Sequence, residues 1–435
     1  MSEPIRDRAT RSLPTTAVRH GRLRRSRAWT TILGILGATM AVVLVSGVSV
    51  AAITIAQFNA DIDVIDLVEA EGEPPRVIPT VGEWEGGFNV LVVGIDNEPG
   101  QYDSRARGSA TLNDVNILLH VSEDQQSAVA VSIPRDMVVP IPSCPDPEGG
   151  RASGAMSAQP INVAWSYGGL NCVVLTVEKL TGLSIPYAGA ISFNGVAQLS
   201  NAVGGVDVCI DGPIKDRYTG LDLPTAGTHT LIGEDALAFL RTRHGVGDGS
   251  DLGRISNQQV YLSSLMRKVQ NEGVLTDFTK LYGIAQVATS SMQLSSSLVS
   301  LDTMVSMAQA IRKVPTENIV FVQYPNRYGT AEPYLGKVQP LTRQATALFD
   351  RIRNDEKFVL EEGNTGVGSK LDTSEPAPEE TQAPEPEPTE APKNGKNFVE
   401  PEPEATLPPI DAAPPAVLEG VQGQTAADRT CSRAN

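Results

Sequence analysis

The sequence predicts an α/β fold: a sheet covered on its faces by helices, behind one membrane-spanning segment and ahead of a Pro/Glu-rich tail. Three observations carry this. Short apolar runs alternate with segments of helical spacing from Phe88 to Lys357, the pattern of a covered sheet. Residues 28–56 hold no charged residue and no histidine, a stretch of 29 residues where ~20 suffice to cross a bilayer. Residues 371–420 then hold twelve of the 31 prolines, and Leu371 to Glu404 carry ten acids against two lysines.

In chain order, residues 1–27 carry eight arginines against Glu3 and Asp7, a net charge of +6. Acids follow the apolar stretch at Asp61, Asp63, Asp66, Glu69, Glu71 and Glu73. Arginines before a span and acids after it put the N-terminus in the cytoplasm and everything past residue 57 outside. The apolar length reads as an uncleaved anchor. The alternative is a signal peptide cut at Val50-Ala51-Ala52, whose apolar region is ordinarily only ~7–15 residues long. The span beside it accounts for the basic segment, so no nucleic-acid partner is expected. The overall net charge of −16 averages this basic head with an acidic tail.

Residues 57–86 form an acidic juxtamembrane linker. Asn89–Gly94, Asn116–Val121 and Ala128–Ile133 are apolar runs suited to buried strands. Cys172–Leu180 and Gly195–Val203 have helical spacing, and Val206–Ile210 reads as another strand. Glu234–Leu240, Ile255–Val269, Phe278–Ala288 and Leu301–Ile311 read as helices, and Ile319–Gln323 as a late strand. About 270 residues of this texture, assigned to one domain over 87–357, are enough for a sizeable core. Residues 358–416 read as a disordered spacer, because such a composition buries too little apolar surface to fold. Residues 417–435 are a less polar patch, able to dock, that contains Cys431.

Four cysteines in an exported chain invite disulfides. Cys144 and Cys172 bracket a polar loop and are expected to pair. Cys209 lies in the apolar run VDVCI, where a cysteine is often only a small buried hydrophobe. Its pairing with Cys431 would tie the tail back to the domain. The four histidines are scattered and no cysteine pair has C-x-x-C spacing, so no zinc motif is present.

The chemistry concentrates in LRTRHGVGDGSDLGRISNQQ, where Arg241, Arg243, Asp251 and Arg254 fall close together. Guanidinium groups are planar forks that grip phosphate oxygens and stay charged. In an extended segment Arg241 and Arg243 would point the same way. Glycines at 245, 247, 249 and 253 allow close backbone approach to a ligand, and Arg254 opens a helical stretch whose N–H groups favour anions. A solvated basic turn is the plainer alternative. Asp96 follows one buried run, Asp114 precedes another, and Arg135-Asp136 closes a third. Such strand-end positions are where α/β ligand sites form; turn aspartates at Asp96 and Asp114 and a local Arg135–Asp136 ion pair are the plainer alternatives. Two carboxylates beside phosphate-binding arginines suit Mg²⁺, which takes one or two carboxylates plus substrate phosphates. No G-x-S-x-G elbow and no P-loop is present.

The ordered set NVLVVGID, LNDVNILLHVS, VAVSIPRD, INVAWSYGG, TVEKLTG, NAVGGVDV and ALAFLRTRHGVGDGSDLGRISNQQ resembles the LytR-CpsA-Psr family over residues 88–270 and in texture to 357. The basic head, single anchor and outer domain match that family's layout. The resemblance implies a mixed sheet covered by helices, and a Mg²⁺- (or Mn²⁺-) dependent phosphotransferase on the outer membrane face. Such an enzyme moves a glycopolymer from a polyprenyl-pyrophosphate carrier onto peptidoglycan through a phosphodiester. It implies metal-binding roles for Asp96 and Asp114, and pyrophosphate-binding roles for Arg135, Arg241, Arg243 and Arg254. Asp251 and Gln258 match further polar positions. Arg135, Arg241, Arg243 and Asp96 become the catalytic candidates, with Asp96 as general base.

The chain departs from the family pattern at Glu98, at Leu112-Asn113 and at Asn257, where arginines or Arg-Ser are frequent. Arg105 or Arg107 is expected to supply the missing charge. Two other readings stay open: a pyrophosphatase that releases the carrier lipid to water, and a non-catalytic binder of polyprenyl lipid or wall glycan. The sequence names neither the glycopolymer nor the acceptor hydroxyl.

Overall fold

The computed structural model describes residue 39 and residues 63–69, 75–78, 86–96, 111–147, 149–271, 273–274, 277–372 and 416–435. The basic segment 1–27, nearly all of the expected span 28–56, Glu98, Arg105, Arg107 and residues 373–415 lie outside them. Among the described residues no helix is long and apolar enough to cross a membrane. Residues 1–57 and 58–435 form separate units, and the second holds every feature below.

An eight-stranded mixed sheet is the frame. Its order is Asp63–Ile65, Met292–Ser295, Tyr187–Ser192, Phe88–Ile95, Asn113–Val121, Ala128–Ser132, Ile319–Gln323 and Gly423–Thr425. The strand Phe88–Ile95 sits in the middle because both of its faces are apolar. Leu91 and Val93 join one core cluster, and Phe88 and Val90 join another on the opposite face. Alternation of side chains across a strand makes a continuous apolar run the signature of a strand buried on both sides. The helix Ala164–Thr181 packs into the first cluster through Leu170, Val173, Val174 and Val177. The helix Leu301–Lys313 packs into the second through Met307 and Ala310.

A four-stranded sheet lies apart, in the order Gly227–Leu231, Val206–Ile210, Thr430–Ser432, Ser369–Leu371. The helix Asp251–Asn271 is buried along its first half, with Val260 and Tyr261 in the core that it shares with this sheet. Towards the larger sheet it turns polar groups. Gln323 Nε2 donates to Ser256 Oγ at 2.9 Å, and Gln424 Nε2 donates to Ser263 Oγ at 2.7 Å.

The expected strands and helices are present with shifted ends. The helix expected at Cys172–Leu180 extends back to Ala164 through a kink at Gly168-Gly169. Gly169 has φ +58, which favours glycine. A Cβ on Gly168 would meet the Cβ atoms of Cys144 and Cys172, so glycine there leaves room for their disulfide. Both disulfides form: Cys144–Cys172, with Cα atoms 5.1 Å apart, and Cys209–Cys431, at 4.4 Å.

The spacer assigned from residue 358 needs correction at its start. Strands Phe358–Leu360 and Ser369–Leu371 occupy the first part of it, because their partners are the returning strands Ala416–Leu418 and Thr430–Ser432. The end of the chain does dock. Gly423–Thr425 adds an antiparallel edge strand to Ile319–Gln323.

Candidate anion-binding site

The site lies where three strand ends meet the start of the Asp251–Asn271 helix. The strands Phe88–Ile95 and Asn113–Val121 pair antiparallel, but Gly94 opposes Val115 and Ile95 opposes Asn113. Asp114 is thus the extra residue of a β-bulge, a device that re-aims a side chain next to a site. Arg135 comes just after Ala128–Ser132, the next strand over. Its Nη1 donates to Asp114 Oδ1 at 2.6 Å.

Asp251 is the hub. Its Oδ1 lies 2.8 Å from Arg254 Nη2, 3.4 Å from Arg135 Nε and 3.8 Å from Arg243 Nη1. Arg254 Nη2 also donates to the Asp114 carbonyl at 3.0 Å. Asp136 joins at the edge, 3.9 Å from Arg135 Nε and 3.6 Å from Lys337 Nζ. Three arginines and Lys337 therefore meet three carboxylates, a net charge of +1.

These pairs are close but incompletely hydrogen-bonded. Neither oxygen of Asp251 receives an aligned N–H, and Nε of Arg135 and Nε of Arg254 are buried without a hydrogen-bond acceptor. Buried charged donors without acceptors are costly unless a ligand completes them. Burial pushes the Arg254 guanidinium below its ordinary value, and Arg135 and Arg243 push the same way against Asp251 and Asp114. Burial also pushes Arg135 down, but Asp114 and Asp251 outweigh it and its value is raised.

The expected residues divide. Arg135, Arg243, Arg254, Asp114 and Asp251 come together. Arg241 does not follow the extended arrangement, because it is the last residue of the helix Glu234–Arg241. Its guanidinium stacks over the Phe193 ring at 4.5 Å. Arg254 is the fourth residue of its helix rather than the first, so that it closes onto Asp251 one turn back. Gln258 donates from Nε2 to the Leu240 carbonyl at 2.9 Å. Asp96 is buried just past its strand, with Oδ1 accepting from Leu112 N–H at 2.9 Å.

Sequence reasoning missed Tyr328, on the short hairpin 326–340. Burial raises its phenol above the ordinary value, with Asp248, Asp251 and Asp136 pushing the same way and Ser250 opposing. No periodic pattern marks that hairpin.

The donors suit a hard divalent cation in type, since Asp96 and Asp114 are carboxylates at adjoining strand ends and Asp251 has unfilled oxygens. Among the described residues no three carboxylates stand close enough to cage one. Such an ion would take one or two of these acids and complete its shell with substrate oxygens and water.

Residues 57–349 match the pattern of the LytR_cpsA_psr family. The chain belongs to this family. LytR_cpsA_psr relatives include the cell wall biosynthesis protein LcpA of Corynebacterium glutamicum, 27% identical over 267 residues, which cover 58% of this chain and 50% of LcpA. The chain thus spans about half the length of that relative. A second, TagT of Bacillus subtilis, is named a polyisoprenyl-teichoic acid–peptidoglycan teichoic acid transferase. It is 28% identical over 260 residues, 58% of this chain and 73% of TagT. A solved structure from Streptococcus agalactiae superposes with a TM-score of 0.50 at 23% identity, over 62% of this chain and 89% of its own. That likeness speaks for the fold.

Proposed function

We propose that this LytR_cpsA_psr protein is a membrane-anchored, extracytoplasmic phosphotransferase. It moves a glycopolymer from a polyprenyl-pyrophosphate carrier to a peptidoglycan hydroxyl. The observation that carries the reading is the pair of buried guanidinium N–H groups, on Arg135 and Arg254, left without acceptors amid three arginines. A pyrophosphate supplies the acceptors they lack. The name of TagT supports the substrate class, and that of LcpA the cell-wall setting.

In this mechanism the acceptor oxygen attacks the phosphorus that bears the glycan. A new P–O bond forms, the bridging P–O bond breaks, and polyprenyl phosphate leaves with the electron pair. Little covalent chemistry is asked of the protein, because positioning and charge neutralisation carry phosphoryl transfer. Arg135, Arg243 and Arg254 hold the two phosphates and balance the charge that gathers on the leaving one. Asp251 spaces the three guanidiniums while the site waits for substrate. Asp96 takes the proton of the attacking hydroxyl. A divalent ion on Asp96 and Asp114 would add charge neutralisation at the phosphates.

The test incubates the purified full chain in detergent with a polyprenyl-pyrophosphate oligosaccharide, Mg²⁺ and peptidoglycan oligomers, and reads the products by mass spectrometry. Glycan joined to peptidoglycan through one phosphate is the expected product. Free glycan phosphate alone would mean hydrolysis, and unchanged donor would mean binding without catalysis.

A further inference from the structure

The stretch that carries Arg243 breaks a helix with no glycine or proline at the break. The helix Glu234–Arg241 ends at Thr242, which is extended at φ −63 and ψ 138. Were the helix to continue, Arg243 N–H would donate to Phe239 C=O and His244 N–H to Leu240 C=O, by the ordinary four-residue rule. All four groups are otherwise engaged. Asn257 Nδ2 takes the Phe239 carbonyl at 2.6 Å, and Gln258 Nε2 takes the Leu240 carbonyl at 2.9 Å. Both N–H groups go to one carboxylate: Asp216 Oδ2 accepts from Arg243 N and His244 N, each at 3.2 Å, and from Thr242 Oγ1 at 2.7 Å. Asp216 Oδ1 accepts from Tyr218 N at 2.9 Å.

Asp216 is 2% exposed at the end of the strand Ile214–Asp216. None of its hydrogen bonds reaches a guanidinium or carboxylate of the arginine–aspartate cluster. Its donors are the backbone N–H groups of Arg243 and His244 at the break, the Thr242 hydroxyl before them and the Tyr218 N–H. A buried carboxylate so placed costs desolvation, which its four donors offset. The far side of the same loop is also held, since Asn435 Nδ2 donates to His244 O at 3.1 Å and Gly247 N donates to Arg433 O at 2.8 Å.

We propose that Asp216, with Asn257 and Gln258, is a positioning device that stops the helix at Arg241 and swings Arg243 to the phosphate site. The device acts through Arg243 and touches no substrate. Its value for catalysis rests on the reading of the site given above, whereas its effect on the backbone does not.

The experiment uses the full chain in detergent, with Asp216→Ala and Asp216→Asn made alone and together with Arg243→Ala. Hydrogen exchange of the peptide covering residues 242–247 reads the geometry. Faster exchange there in Asp216→Ala is expected, with partial protection restored in Asp216→Asn, which keeps one carbonyl oxygen. Unchanged exchange in both variants overturns the device whatever the site binds. Affinity for inorganic pyrophosphate reads the function. Loss of about ten- to a hundredfold is expected for Asp216→Ala, the scale of an ångström misplacement. In the Arg243→Ala background the same change should alter affinity less than about twofold, because coupled residues are not additive. An equal loss in both backgrounds would make Asp216 a general structural support and overturn the proposal. If the wild type binds no pyrophosphate, the reading of the site fails, and the exchange data still decide the role of Asp216.

Discussion

Replacing Arg243 by alanine should remove activity and spare stability, while replacing Arg254 should remove both. The two guanidiniums share one carboxylate but differ in burial. The Arg243 side chain is 33% exposed, and its Nη1 lies 3.8 Å from Asp251 Oδ1. A pair so placed contributes ~0–1 kcal/mol. In a domain of this size that moves the melting temperature by roughly 2–4 °C at most. The Arg254 side chain is 7% exposed, 2.8 Å from Asp251 and bonded to the Asp114 carbonyl. Breaking such a buried pair costs about 3–5 kcal/mol, because it strands the remaining charge. A fall of roughly 10 °C follows. For transfer, either loss removes a donor aimed at developing phosphate charge, on the order of 10²–10³ in rate. Melting curves and the mass-spectrometric transfer assay, run on the same preparations, separate the two effects. If Arg243→Ala transfers within a few-fold of wild type, the arginines form a structural ion-pair network and the site is elsewhere. If Arg243→Ala melts as low as Arg254→Ala, the burial argument is wrong.

Other consequences are open to direct measurement. Asp96→Ala and Asp114→Ala should weaken the dependence of transfer on Mg²⁺, and EDTA should abolish transfer; full activity in EDTA would take both acids out of the reaction. Non-reducing peptide mapping should return two disulfides and no free thiol. Cys209→Ser should cost more stability than Cys144→Ser, because its bridge spans 222 residues against 28, about 5 against about 4 kcal/mol in the chain-entropy view. Equal costs would count against that view here. Asp216 titrates below the ordinary range. Its burial alone would raise it, but hydrogen bonds from Thr242, Tyr218 and Arg243 prevail. Its stabilisation is therefore complete above ~3.9, the ordinary value, and is lost as pH falls through its own lower value. Denaturant midpoints measured from pH ~6 to ~3 should drop less steeply for Asp216→Asn than for wild type, and parallel profiles would refute the assignment.

What the sequence disclosed and what it concealed follow one physical line. The central strands were legible because burial on both faces leaves no polar position to interrupt the run, as Phe88, Val90, Leu91 and Val93 show by dividing between two core clusters. The arginines were legible because a cluster of guanidiniums between glycines has few structural uses. The direction each one points was not. Local spacing suggested an extended segment through Arg241-Thr242-Arg243, which is wrong in part because Arg241 still belongs to the helix. The helix stops there because Asp216 lies on one side of the break and Asn257 and Gln258 on the other, all remote in sequence. The edge strand Gly423–Thr425 was hidden for a related reason. Its short sequence GQT has little strand preference, and the exposed N–H and C=O row of Ile319–Gln323 recruits it. Gln258 marks the limit of reasoning from motif position. A polar residue one turn after Arg254 reads as a ligand contact, yet its amide is spent on a carbonyl that the broken helix leaves open. Its bearing on substrate runs through the backbone of Arg243. A Gln258→Glu variant, which replaces that donor with an acceptor, should therefore weaken pyrophosphate binding much as Asp216→Ala does. Unaltered binding in Gln258→Glu would separate Gln258 from the helix stop and leave Asp216 to hold it alone.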